Sequence, residues 1–560
     1  MINIKQAERA GLRYHALATA TAVLCAAFCP SANASEFDTG NDDLQVRLDN
    51  TVRYNFGRRV EAQNRGILGN VNADDGDRNF KKNSTVTNRI DLLTEFDVVY
   101  KKQIGARVSA ASWYDAAYSG ALDNTSVATS NHLLNGAPAL GLGNYVNRYY
   151  KGASGEWLDA FVFGTFDLGN MQASLRVGRH TVTWGEGLLS GGAVHGVTYG
   201  QTPLDLSKAF STPGVEAKEL YRPLNQISGT LQVTPELTLA GQYFLQWSET
   251  RLPDGGSYLG FSDALDRGGE SLIVGAGPAG LVRARHATDI TPKNSGEWGL
   301  AARWKPEWLD GTMGFYLRRF SDKLPQTVVN AATGQYLFNY ADGIDLYGLS
   351  LGKQIAGISF GADLNYRRNM PLISDAVIIP VQAPALPAQG EVLGARGNTV
   401  HGVLNALASV EATPLWNSAI WMAELTWNRW LSVSQGASVF KGRDSYTAID
   451  KISKDAFALA VNFTPTWYQV FPGADLSMPL SYSRGLSGNS AVISGGAKDA
   501  GSYSLGLGLD LYNKYRFDLR YVDYYGDLTL GSTGAVTVAN GPTALLKDRG
   551  AVYFTFKTAF

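Results

Sequence analysis

The sequence predicts an all-β fold: a transmembrane antiparallel β-barrel of about eighteen strands, with short periplasmic turns and long external loops. Three observations predict it. Apolar and polar residues alternate along many segments, the connections alternate between short and long, and an export-type leader precedes a chain with no long apolar run.

The leader comes first. Lys5, Arg9 and Arg13 make a basic start, an apolar run follows from Ala16 to Phe28, and Ala32-Asn33-Ala34 forms a peptidase site. Cleavage is expected after Ala34, so residues 1–34 are read as a signal peptide and 35–560 as the barrel. The run is shorter than the about 20 apolar residues that a membrane-spanning helix needs. Both cysteines, Cys25 and Cys29, fall inside it. Leu24 and Phe28 precede them, where lipidation needs a small residue. The mature chain is therefore free of thiols and cannot misbridge in an oxidising compartment. Losing three basic residues and one acidic residue takes the formal charge from −1 to −3. Nothing in that balance points to nucleic acid.

Period two is clearest from Leu44 to Phe56. Leu44, Val46, Leu48, Val52, Tyr54 and Phe56 share one face, broken only by Asn50, while Gln45, Arg47, Asp49, Thr51, Arg53 and Asn55 share the other. Such a strand has one oily and one wet face. The pattern returns at Ile90 to Tyr100, Ile104 to Val108, Leu237 to Trp247, Trp298 to Trp304 and Ile358 to Tyr366. It continues at Trp421 to Trp427, Phe457 to Phe463, Tyr503 to Leu511, Phe517 to Tyr525 and Val552 to Phe560. Short links such as Lys101-Lys102-Gln103, Gly169-Asn170, Ala356-Gly357 and Asn513-Lys514 alternate with long ones near 58–85, 117–155, 184–225 and onward to 526–549. Phe560 ends a row with Phe556, Phe554 and Val552. That row is similar to the C-terminal strand by which barrel-assembly machinery recognises its clients, with Thr558 departing from the pattern.

The stretch Arg176 to Gly187, R-V-G-R-H-T-V-T-W-G-E-G, resembles a hallmark of a Gram-negative outer-membrane family catalogued as domain of unknown function 1302. Gly343 to Leu351, Asn398 to Asn405 and Pro472 to Leu480 resemble further segments of it. The resemblance implies a barrel in the cell outer membrane, surrounded by lipid and lipopolysaccharide, and implies little chemistry. Family members are associated with handling hydrophobic compounds beside inner-membrane exporters, which gives an alternative role.

Two enzyme-like motifs fail on context. Val274 to Leu281 reads like a pyrophosphate fingerprint, but it sits in one Gly-rich loop between barrel strands, without the strand–helix–strand unit such a site needs. Gly348-Leu349-Ser350-Leu351-Gly352 matches a nucleophile elbow but lies in mid-strand. His132, His180, His195, His286 and His401 show no metal spacing, and Asp74-Asp75-Gly76-Asp77 reads as a solvated acidic turn. No enzyme activity, metal or cofactor is expected.

The chemistry left is the inward face. By parity Arg47, Asp49 and Arg53, then Arg89, Asp91, Glu95 and Arg107, and then Asp363, Arg367, Glu424, Arg516, Asp518 and Arg520 are candidate pore-lining residues. The loop from Trp184 to Pro223 is the candidate constriction, with Glu186, Asp205 and Glu219 expected to face Arg47, Arg89, Arg107 and Arg520 across the lumen. The expected function is passage of small molecules by passive or facilitated diffusion. The rival is a filled structural or surface-binding barrel, and a homo-oligomer is compatible with either.

Overall fold

Alternating faces leave a sheet with nothing to bury its oily side except lipid, and closure removes its edges. The computed structural model describes residues 35–560 apart from 213, 214, 216, 279 and 383, so the expected signal peptide lies outside the described residues. It is a closed barrel of 18 antiparallel strands. The first six are β1 (Leu44–Arg59), β2 (Thr85–Tyr100), β3 (Ile104–Asp115), β4 (Gly152–Leu168), β5 (Met171–His180) and β6 (Leu224–Gln232). The next six are β7 (Leu237–Phe244), β8 (Trp298–Trp304), β9 (Gly311–Phe320), β10 (Ile344–Ile355), β11 (Ile358–Pro371) and β12 (Arg396–Val410). The rest are β13 (Ser418–Gln435), β14 (Asp455–Phe471), β15 (Ala474–Ser477 continued by Leu480–Ser487), β16 (Gly501–Leu511), β17 (Tyr515–Tyr525) and β18 (Ala551–Ala559). The break in β15 falls at Met478 and Pro479, where proline has no N–H to give the ladder.

Each strand pairs with its sequence neighbours, and β18 returns to β1, Thr51 opposite Ala559 through Arg59 opposite Ala551. Phe560 and Asn50 seal the seam with reciprocal backbone bonds of 2.8 and 2.9 Å. A short strand, Ser35–Phe37, pairs with Val46 to Leu48 and carries that edge onward. Asn50, the break in the oily row of β1, accepts from Thr94 Oγ1 at 2.8 Å, so the polar side chain is satisfied within the wall.

The distribution of residues is inside out. Ile90, Val162, Leu300, Leu364, Leu404 and Leu505 are 50–57 % exposed on the outer belt, while Arg53, Asn55, Arg318, Arg367, His401 and Glu424 are at most 2 % exposed within. Trp308, Tyr468, Phe471 and Tyr512 crowd the short-turn rim, where amphipathic rings favour the membrane interface. Among the described residues no helix is long and apolar enough to cross a membrane. Val274 to Gly277 and Gly280 to Leu281 of the Gly-rich segment lie in two paired strands, Ser271–Gly277 against Gly280–His286. That pair belongs to a five-stranded sheet made of the long loops. Ser350, the serine of the elbow-like motif, lies within β10 and is hydrogen-bonded to Tyr316 Oη at 3.0 Å.

The closing strand provides a test of parity. Phe556 packs on Phe517 with ring centroids 5.1 Å apart on the outer belt, while Lys557 lies in register with Arg53 and Arg516 on the inner face. On the lipid face a basic residue costs about 2–4 kcal/mol at the midplane and an acidic one less. Phe556→Asp should therefore lower the urea midpoint of the folded barrel and its heat-modifiable gel shift, while Lys557→Gln leaves both near the parent. Equal losses in the two variants would contradict the assigned faces.

Candidate functional site

The described part of the connection between β5 and β6, residues 181–223, does not stay at the rim. It leaves one side of the barrel and reaches wall strands on the far side, so it crosses the lumen. Loop backbone has no ladder of its own, and its buried N–H and C=O groups need partners. The wall supplies them. Glu424 on β13 accepts from the N–H groups of Leu188, Leu189 and Gly192 at 2.8, 3.0 and 2.7 Å. Asp363 on β11 accepts from Glu186 and Val197 N–H at 3.0 and 3.1 Å. Cationic donors serve the carbonyls: Arg367 donates to Val194 and Gly196 at 2.9 and 3.1 Å, and Arg318 donates to Val197 and Tyr199 at 2.8 and 2.7 Å. Asn365 adds a bond to the His195 carbonyl at 2.7 Å.

Close approach depends on glycine. Gly185 has φ +90°, and a Cβ there would lie 2.4 Å from Val197 Cγ2 and 2.5 Å from Asp363 Oδ2. On the wall, a Cβ at Gly348 would lie 2.5 Å from Val197 Cγ1. Val197, Tyr199, Tyr316, Phe320, Ile344 and Leu346 close over this contact as one apolar cluster. Trp184 joins it, with its ring 6.0 Å from that of Tyr316.

The rest of the loop lies against the opposite wall. Glu219 takes a two-point bond from Arg53 at 2.8 and 3.1 Å. Asp205 caps the short helix Leu206–Ser211, accepting from Lys208 N–H at 2.9 Å, and its other oxygen receives Tyr149 Oη and Arg251. Lys208 pairs with Glu156, and Lys218 with Glu95.

The loop acids, expected to face Arg47, Arg89, Arg107 and Arg520 across the lumen, lie instead against other cations. Glu219 binds Arg53, Asp205 binds Arg251, and the guanidinium nearest Glu186 is Arg303 at 4.0 Å. The reason is local neutralisation. Arg107 is held two-fold by Asp97 at 2.6 and 2.8 Å, Arg47 by Asp49 at 2.9 Å, and Arg89 by Asp91 at 2.8 Å. Arg516 likewise pairs with Asp518 and Asp510, both at 2.9 Å, with Arg520 next along the same face.

The candidate lining residues thus divide. Asp363, Arg367 and Glu424 are buried beneath the loop, and Arg53, Arg89, Asp91 and Glu95 are buried where it meets β1 and β2. Arg47 and Arg107 face a cavity of about 780 Å³ toward the short-turn rim, together with Asp97, Asp159, Phe161 and Arg176. Thr181, Thr183, Lys218 and Tyr221 of the loop form part of its lining. Sequence reading missed Arg318, Arg251, Asn405 and the pairing of His195 with His401. The density of glycines at 185, 187, 191, 192 and 196 was the available signal, since glycine among apolar residues marks close backbone approach.

A family model described as "Protein of unknown function (DUF1302)" matches residues 16–560. No curated protein sequence matches. Three solved structures similar to this chain, each 10 % identical, are OpdK of Pseudomonas aeruginosa with vanillate, OccAB2 of Acinetobacter baumannii and a BenF-like porin of Pseudomonas fluorescens Pf-5. OpdK and OccAB2 each align over 92 % of this chain and 98 % of theirs, with TM-scores of 0.40 and 0.42. The BenF-like porin aligns over 93 % and 98 %, with a TM-score of 0.41.

Above the crossing loop, the long loops interlock into a cap, and there one expectation fails. Asp74, Asp75 and Asp77 do not form a solvated turn: they are 0–5 % exposed. Asp77 lies between Arg59 at 2.7 Å and Arg549 at 3.3 Å, and Asp75 receives Asn131 N–H at 2.7 Å and gives its own N–H to Asp263 at 3.2 Å. Burial, reinforced by the Asp74 carboxylate, pushes Asp75 up to about 7. Burial likewise raises Asp266 and Asp548, each to about 6. A carboxyl raised in the folded state holds its proton better there, so its contribution is present at low pH and lost as pH rises through the folded value. Between about pH 5 and about pH 8 the cap should therefore loosen, with amide protection, corrected for intrinsic exchange, falling in 72–79 and 254–269 and changing little in the wall strands. Protection that rises or stays flat in those segments would contradict the assignment.

Proposed function

This chain belongs to the DUF1302 family, and we propose on that premise that it is an outer-membrane pore for small molecules, crossed by passive or facilitated diffusion. One observation carries the reading: the β5–β6 loop lies across the lumen and is fixed to both walls, as a segment that sets the width of a passage must be. A barrel of this strand number is wide enough for an aqueous channel unless something occupies it. The cavity beneath the loop, with charged and aromatic side chains on its wall, supports a polar route to the short-turn rim. The burial of Arg53, Arg89 and Arg367 under the loop supports the second reading, a filled barrel that holds its shape and does not conduct.

Conductance separates the two. Removing Gly191 to Thr212 takes out Gly192 of the Glu424 anchor and Val197 of the Asp363 anchor, keeps Leu188, Leu189 and Glu219, and leaves all eighteen strands. In planar bilayers the shortened barrel should show single-channel conductance at least about twofold above the parent, because conductance follows the narrowest section. A variant that keeps its heat-modifiable fold and conducts no more than the parent would establish the filled barrel instead.

A further inference from the structure

Two histidines that no sequence spacing connects meet inside the barrel. His195 ends the short helix Ser190–His195 of the crossing loop, and His401 lies on β12. Their Nδ1 atoms are 2.8 Å apart, the rings are 5.1 Å centre to centre, and both side chains are at most 1 % exposed. The outer nitrogens are also engaged. His195 Nε2 lies 2.9 Å from the Gly495 carbonyl, and His401 Nε2 lies 2.8 Å from Thr399 Oγ1.

Those partners determine the protons. A carbonyl only accepts, so His195 Nε2 carries hydrogen, and a neutral imidazole has only one N–H. His195 Nδ1 is then the acceptor, His401 Nδ1 the donor, and His401 Nε2 accepts from the Thr399 hydroxyl. The bond joins three elements: the crossing loop, the wall, and through Gly495 the loop between β15 and β16.

We propose that the His195–His401 pair is an acid-sensitive latch that holds the crossing loop against the wall. The proposal rests on the pore reading only for what release does to conductance. A first added proton can be shared between the rings, since Thr399 can turn to accept, but it places a cation in a dry site beside the Arg367 guanidinium. A second leaves two N–H groups facing each other at hydrogen-bond distance. The surroundings offer little to offset either. On β11, besides Arg367, stands Asp363, whose oxygens already take two loop N–H groups; on β13 stands Glu424, whose oxygens take three. Tyr199 of the loop donates to Asp322 at 2.7 Å, and Lys498 and Asp499 of the β15–β16 loop are at its solvent-exposed end, Asp499 paired with Arg484.

Amide exchange of the intact barrel in detergent tests the latch, and bilayer conductance tests its consequence. Burial, with the Arg367 guanidinium beside it, pushes His195 down to about 4, so from about pH 7 to about pH 3 the protection of Ser190–His195, corrected for the intrinsic pH dependence of amide exchange, should fall at least about tenfold, and conductance should rise with it. His195→Gln combined with His401→Asn keeps amide hydrogen bonding without a titrating group and should remain protected at both pH values. His401→Leu, which removes the bond, should exchange rapidly already at neutral pH. The proposal is overturned if acid leaves the parent segment protected, or if His401→Leu remains protected. It is equally overturned if the amide double variant responds to acid as the parent does, since protonation of Asp363 and Glu424 would then be the cause. Acid release of the segment without conductance would keep the latch and remove the pore, whereas conductance indifferent to acid, with the segment still protected, would keep the pore and remove the latch.

Discussion

A loop drawn through a barrel must have its peptide groups satisfied by the wall, and that requirement organises the rest of this molecule. Each buried peptide group left without a partner costs about 1–3 kcal/mol. Five loop N–H groups are taken by two carboxylates, and four carbonyls by two guanidinium groups. These are charge-assisted bonds, stronger than neutral ones, and they come from rigid strands rather than from other loops. The glycines at 185 and 348 follow from the same requirement, because side chains there would hold the backbone too far from its partners.

Charge is used in two ways inside this barrel. Around β9 to β13, single buried charges bond to the loop backbone. Around β1 to β4, charges pair with each other, so Arg47, Arg89 and Arg107 are neutralised by carboxylates on neighbouring positions. The loop connects the two regimes, bonded by its backbone on one side and by Glu219, Lys218 and Lys208 on the other. Above it the cap repeats the pattern with Arg59 and Arg549 about Asp77, and with an aromatic cluster that includes Phe80, Tyr118 and Tyr258.

Much of this was legible in the sequence. Period two assigns faces, and the faces hold from Leu44 on β1 to Phe556 on β18. The alternation of short and long connections assigns the rims. The segments Arg176 to Gly187, Gly343 to Leu351 and Asn398 to Asn405, read separately as family resemblance, gather around the crossing loop: Glu186 O accepts from Asn405, and beyond the first segment Val197 lies close to Gly348 and His195 meets His401. That meeting was not legible, because parity gives the face a residue takes and not the partner it finds across a lumen. The loop acids show the same limit, since Arg53 rather than Arg47 lies at the height where Glu219 arrives. The acidic turn at Asp74 misled for a different reason. A run of carboxylates reads as solvated unless the arginines that bury it, Arg59 and Arg549, are known to be near, and Arg549 is far along the chain.

The central claim is that the β5–β6 loop lies across the lumen against β10. A Cβ built at Gly348 lies 3.4 Å from the Cβ of Val197, close to the spacing a disulfide requires. Both native cysteines lie within residues 1–34, so a chain from Ser35 onward that carries Val197→Cys and Gly348→Cys has no other thiols. The most direct measurement is the mass and gel mobility of that double variant, folded in membranes and treated with a mild oxidant. The account predicts a near-complete intramolecular disulfide, with either single variant remaining a free thiol. A folded double variant whose two thiols both stay reactive toward maleimide would place the loop away from β10 and contradict the account.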